Sequence, residues 1–251
     1  MIIAAHAIKE KIRRKELYIV AMIGVLVLIL FSADGSTISI AGKPITDYDN
    51  LAPIFLIMVN AICGALAIFL SLKTIPNEYE RKTSHLVWIR GISQTRYHSE
   101  LAIANGISCM LAEGIMFIGM ILFTLMKHRQ DQLWKLIPAY FIMALGIWIV
   151  SLLTSLLSII FPGMVAGLIA AIVYLAGIFH SVLELFGNMV SGLVGKLLDI
   201  VLWIVPNLHE IQAQAGNIFT GSSISIHVIV KGLFIIWLLG LGFMIFKKKE
   251  A

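Results

Sequence analysis

Apolar residues in this chain fall in long, nearly unbroken runs rather than in the short alternations of a water-soluble fold. The runs cover residues 17–32, 51–72, 101–126, 133–160, 163–179 and 227–246. Most approach the ~20 residues that a helix needs to cross the hydrocarbon core of a bilayer; the first is somewhat short. Lipid offers the backbone no hydrogen-bond partner, so each run is expected to be a helix that satisfies itself. Phe161, Pro162 and Gly163 separate the fourth run from the fifth and predict a tight turn there. The expected fold class is an all-α membrane protein with six transmembrane helices, forming a single transmembrane domain over residues 1–251.

The polar intervals complete that picture. Residues 1–16 are basic, with Ile2, Ile3, Ile8 and Ile12 interspersed, and predict an amphipathic helix on the inner membrane surface. No small-residue cleavage site follows, so the segment does not read as a removable signal. Residues 73–100 form a polar connection between the second and third runs. Residues 181–226 are too apolar for a solvent loop, yet Gly187, Gly192, Gly195 and Pro206 interrupt them. That combination predicts short re-entrant or interfacial helices on the outer side, before the last crossing.

Composition agrees: 59% of residues are hydrophobic, 13% are charged, and the mean hydropathy is +0.95. A soluble domain carries about 25% charged residues to cover its surface. Orientation follows from the cations. With the N-terminus in the cytoplasm, Lys9, Lys11, Arg13, Arg14 and Lys15 lie inside. So do Lys73, Arg81, Lys82, Arg90 and Arg96, and Lys247, Lys248 and Lys249. Only Lys43, Lys127, Arg129, Lys135, Lys196 and Lys231 fall outside. The bias predicts a multi-pass protein of the plasma membrane with both termini cytoplasmic.

Candidate chemistry is sparse. No Gly-x-x-x-x-Gly-Lys-Ser/Thr phosphate loop occurs, so ATP hydrolysis by that route is excluded for this chain alone. Cys63 and Cys109 lie inside apolar runs and read as small buried residues rather than a disulfide. His180 and Glu184 share a helix face at the end of the fifth run, where an ordinary polar helix end outweighs a metal pair. Cys109, Met110, Met116 and Met120 offer soft sulfur, but methionine is common apolar filling. Catalytic, cofactor and metal sites are therefore expected to be absent. Glu113 stands apart, because it falls in the middle of the third run. An acid at that depth is costly and faces either a functional cavity or a helix interface. Asn60 reads by default as a helix–helix hydrogen bond.

The interval after the second run is the most informative. Asn77 followed by Glu80 has the spacing of a helix-capping box. Arg81 and Lys82, then Leu86, Val87, Trp88 and Ile89, follow, and Gly91 is placed to end the helix. A short amphipathic helix on the inner face is expected, either an interfacial anchor or a docking helix for a soluble partner.

This layout resembles the type-2 ABC exporter permeases, in the branch that holds the copper-enzyme maturation and the multidrug and antimicrobial-peptide permeases. Glu80, Arg81, Lys82, Thr83, Leu86, Ser93 and Tyr97 are similar to that family's coupling-helix motif. Gly91, Gln94 and Leu101 stand where Pro, Arg and Lys are usual. Val205-Pro206-Asn207-Leu208 is similar to a segment often found before its last crossing. The resemblance implies a permease subunit without enzyme activity of its own, paired with a second permease subunit, usually as a homodimer. It also implies a separate ABC-type ATPase that binds ATP and Mg and docks through Glu78, Glu80, Arg81, Thr83 and Leu86. The pathway would be lined by crossings one, two and five, and the partners would include lipid but no nucleic acid. Two other classes compete: a membrane-embedded enzyme using Glu113 with His180 or Glu184, and a non-transporting immunity or sensor protein.

Overall fold

A computed structural model describes residues 2–13, 19, 22–26, 39–40, 43–44, 48–80, 89, 91–190 and 192–245. These residues form helices α1 (Ile2–Arg13), α2 (Tyr48–Leu72), α3 (Thr74–Glu80), α4 (Gln94–Met126) and α5 (Leu133–Ile160). They continue as α6 (Gly163–Ile178), α7 (His180–Met189), α8 (Leu193–Ile204), α9 (Leu208–Thr220) and α10 (Ile226–Ile245). The described strand content is a two-residue antiparallel pair, Ser39–Ile40 against Lys43–Pro44.

Four stretches are long and apolar enough to cross a membrane: Tyr48–Glu80, Gln94–Met126, Gln130–Ile160 and Ile226–Ile245. A fifth is added if α6 and α7, bent by 74° at Phe179, are counted as one span. The chain is therefore an all-helical membrane-type protein with four or five spans among its described residues. The first expected crossing, residues 17–32, lies outside the described residues except for Ile19 and the helical turn 22–26. In that turn Gly24 faces α4 closely, since a Cβ on it would lie 3.0 Å from the Met116 sulfur. For the fifth expected crossing, α6 alone has 16 residues, a rise of about 24 Å against the ~30 Å hydrocarbon core, and it reaches the length of a span only together with α7.

α5 is the central element and packs on α2, α4, α6, α9 and α10. Its small residues make this possible. Ala139, Ala144, Gly146, Ser151, Thr154, Ser155 and Ser158 are all buried, so neighbouring backbones approach closely. The hydroxyls of Thr154 and Ser158 donate within the helix, to the carbonyls of Val150 and Ser155. Between α2 and α6, Gly64 is open to the Tyr174 ring, and the Tyr174 hydroxyl donates to the Asn60 carbonyl at 2.8 Å.

The ends of the bundle differ in character. At one end α1 lies against α4, with Ile3 and Ala7 packed on a cluster of Ile75, Tyr97, Leu101, Leu152, Ile159 and Phe243. The expected surface helix is thus docked on protein along one face. At the opposite end Tyr48 stacks on Phe123 and bonds Thr124 at 2.8 Å, tying the start of α2 to the end of α4. Arg129 sits over the Tyr48 ring and reaches Asp49 at 3.3 Å.

Two boundaries differ from those expected. Asn77 does not cap a helix. It lies inside α3, and its N–H bonds the Lys73 carbonyl, because the helical path continues from α2 with only Lys73 between. The third crossing begins at Gln94, seven residues before the apolar run, with Ser93 accepting a cap bond from the Arg96 N–H. Gly91 does take the left-handed conformation expected of a helix stop, with φ +77°.

Candidate functional site

The α1 end concentrates the polar side chains. Lys11 is buried, although lysine is rarely so. Its Nζ donates to the Leu70 carbonyl at 2.9 Å, at the last turn of α2, and to Asn105 Oδ1 of α4 at 2.6 Å. Thr74 donates to the same two oxygens, and Asn105 Nδ2 donates to Ser155 of α5 at 2.8 Å. One connected network therefore joins α1, α2, α3, α4 and α5. Beside it Ser71 and Ser151 share a hydrogen bond of 2.8 Å. A cleft of about 360 Å³ opens between α1 and the α2–α3 junction, lined by Glu10, Lys11, Lys73, Thr74, Asn77 and Glu78 among others.

The expected docking residues divide. Glu78 faces inward, where its Oε2 accepts from the Tyr97 hydroxyl at 2.7 Å and holds α3 on α4. Tyr79 makes a second tie, to the buried His98 ring at 2.7 Å. Glu80 is exposed at the end of α3. Arg81, Thr83 and Leu86 lie outside the described residues. On α1, the Ile3 N–H bonds Glu100, which also pairs with Arg96.

Glu113 is wholly buried in α4, and neither carboxyl oxygen has a hydrogen-bond partner among the described residues. Cys63, Cys109 and Tyr140 are its electrostatic neighbours. Both cysteines are free and buried. Met116 and Met120 fill the same core, as apolar packing does. His180 keeps different company: Glu184, His209, Glu210 and Lys231. The structure thus does not bring Glu113 and His180 into one constellation. Among the described residues no group of three His, Cys, Asp or Glu side chains could hold a metal ion.

Asn60 behaves as a helix–helix bond: its Nδ2 donates to Gln212 Oε1 at 3.0 Å, joining α2 to α9. The sequence named Asn60 but missed Gln212. A buried amide on the amphipathic α9 looks on paper like any polar residue of an outer segment. Lys11 and Asn105 were missed for a related reason, since their partners are 94 positions apart. Asn207 of the Val-Pro-Asn-Leu segment has a local role, capping α9 by accepting from the Glu210 N–H at 2.9 Å.

The chain matches no family model, no curated protein and no solved structure.

Proposed function

We propose that this chain is the membrane permease subunit of an ATP-driven exporter, working with a second permease copy and a separate ATPase that carries ATP and Mg. The observation that supports it most is the construction of the α1 end. There α1 and α3 are clamped to the bundle by Lys11, Asn105, Thr74 and the Glu78–Tyr97 bond. A subunit moved by a soluble motor needs such a platform: force applied to an exposed short helix must reach the spans without being lost in a loose loop. In this reading Glu80, Arg81, Thr83 and Leu86 contact the motor, whereas Glu78 positions α3 from behind. Glu113 and the bent α6–α7 pair belong to the moving part of the bundle. The substrate leaves at the end opposite α1, where α9 closes over α2 and α5.

The docking test is a triple variant, Glu80→Arg, Arg81→Glu and Thr83→Trp, co-expressed with the ABC-type ATPases of the same genome. The ATPase should co-purify with the unaltered chain and be lost from the variant, whose helical circular dichroism stays the same. Full retention by the folded variant would remove the docking assignment.

A further inference from the structure

We propose that Glu113 is a proton-binding site at the blind end of a polar half-channel that enters the bundle from the α1 end. The proposal does not rest on the export reading.

The half-channel follows from how the buried stripes of α4 and α5 divide. Toward the α1 end α4 buries Asn105, Ser108 and Cys109, and α5 buries Ser151, Thr154, Ser155 and Ser158. The two helices run antiparallel, so these side chains meet in rungs one helical turn apart. The outer rung is Lys11, Thr74, Asn105 and Ser155, joined by hydrogen bonds of 2.6–2.9 Å. Through Lys11 and Thr74 it lines the cleft of about 360 Å³. The middle rung is Ser71 and Ser151, bonded at 2.8 Å, with the Cys109 thiol beside both hydroxyls. Glu113 lies one turn further along α4, eight residues and a rise of about 12 Å from Asn105. Beyond it the lining changes. No polar residue of α4 is buried between Glu113 and Thr124, where Met116, Met120 and Phe123 fill the stripe. Met143 and Ile147 face the same core from α5, and Phe55 of α2 stacks on Phe123 at 5.2 Å. Asn60 of α2 turns instead to Gln212 of α9. The polar lining thus starts at the α1 end and stops at Glu113.

The surroundings of the carboxyl select a proton over a metal cation. The titratable groups that face Glu113 are Cys63 of α2, Cys109 of its own helix and Tyr140 of α5; Lys11 of α1 stays at the outer rung, on the far side of Cys109. The Tyr140 hydroxyl donates to the Met110 carbonyl at 3.0 Å. An ionised Glu113 would be a buried charge without a hydrogen bond among the described residues, so the group holds its proton while the bundle is closed. A metal cation needs several oxygen ligands, and one carboxyl beside two thiols does not supply them. The ammonium of Lys11 at the mouth opposes such an ion as well. A proton needs no coordination shell. Each hydroxyl or thiol accepts a proton on one side and gives up its own on the other, so the rungs can pass one inward without moving an ion. The last turn, from Cys109 to Glu113, is crossed through one water admitted as α4 and α5 move. The net step is one proton leaving water in the cleft and one carboxylate oxygen of Glu113 gaining it, and release runs in reverse.

The test is infrared spectroscopy of the full chain in lipid nanodiscs. Subtracting the spectrum of Glu113→Gln isolates the carboxylic C=O stretch of Glu113, which shifts when its proton is exchanged for deuterium. In the unaltered chain the band should be present, should shift after transfer to deuterated buffer while the chain stays folded, and should fade reversibly as the pH is raised. The variant Ser71→Ala, Cys109→Val, Ser151→Ala removes the middle rung and should slow the shift about tenfold, the worth of one hydrogen bond on the path. If that variant does not fold, Ser71→Ala with Ser151→Ala should slow it in the same direction. Thr124→Val, at the opposite end, should leave the rate as it is. A difference spectrum without the carboxylic band would overturn the proposal, because Glu113 would then be ionised at rest. So would a band that exchanges or fades only on unfolding, one that sodium or potassium removes at constant pH, or exchange as fast without the middle rung as with it. Slowing by Thr124→Val equal to that of the rung variant would overturn entry from the α1 end.

Discussion

Glu113 and Lys11 show how differently one bundle treats two buried charged residues. Lys11 has its hydrogen bonds arranged around it, with acceptors from α2 and α4 within 2.9 Å. Glu113 has no hydrogen-bond partner among the described residues for either oxygen. Leaving a buried polar group unsatisfied costs roughly 1–3 kcal/mol, and none of the described residues offers this carboxyl a hydrogen bond. In the exporter reading that cost is accepted for function rather than stability. Glu113→Leu should therefore raise thermal stability by an amount of that order, measured by unfolding in detergent. In the reconstituted complex, Glu113→Leu and Glu113→Gln alike should depress ATP turnover. A Leu variant that melts earlier than the unaltered chain would show instead that the carboxyl holds the bundle together. The depth of Glu113 was legible in the sequence, because an acid inside an apolar run is visible there. That no described residue bonds it was not, because that depends on which faces of α2 and α5 meet α4.

Among the elements, those with the strongest periodic or apolar pattern were read best. The fourth run, residues 133–160, coincides with α5, and the fifth and sixth lie within one residue of α6 and α10 at each end. The start of α4 was missed because Gln94 to Glu100 is polar, yet it is helical. Its inner face, Tyr97, His98 and Glu100, is buried against α3 and α1 rather than lipid. The capping box at Asn77 was misread because α2 hands its helical path directly to α3, so no cap is needed. α1 was read as a membrane-surface helix from its isoleucines. The residue that fixes it is Lys11, which composition alone assigns to solvent. Lys11→Met should loosen α1, with stability falling by roughly 1.5–3 kcal/mol, the worth of hydrogen bonds to a charged group. Amide exchange across residues 3–13 should rise, whereas Lys9→Met, at an exposed position, should leave both unchanged. Unaltered exchange in Lys11→Met would mean that the apolar contacts of Ile3 and Ala7 suffice to dock α1.

For the whole molecule, apolar runs were enough to establish a helical membrane protein, while the count of crossings depends on residues 17–32 and on the bent α6–α7 pair. Thiol labelling addresses it in a Cys63→Ala, Cys109→Ala background. Cysteines at Asp199 and Glu210 should react with an impermeant reagent from outside intact cells. One at Lys248 should react only once the inner face is opened, and its labelling from outside would mean an odd number of crossings. The platform at the α1 end and Glu113 lie at different levels of one bundle with α5 at its centre. In the exporter reading, ATP binding at the α1 end tilts that bundle and opens the opposite end. The most direct measurement is native mass spectrometry of this chain purified from cells that co-express the ABC-type ATPases of its own genome. The exporter reading predicts two copies of this chain with two ATPase subunits, held together in the presence of ATP and Mg. A chain that runs alone, with the ATPase present and folded but unbound, would contradict it.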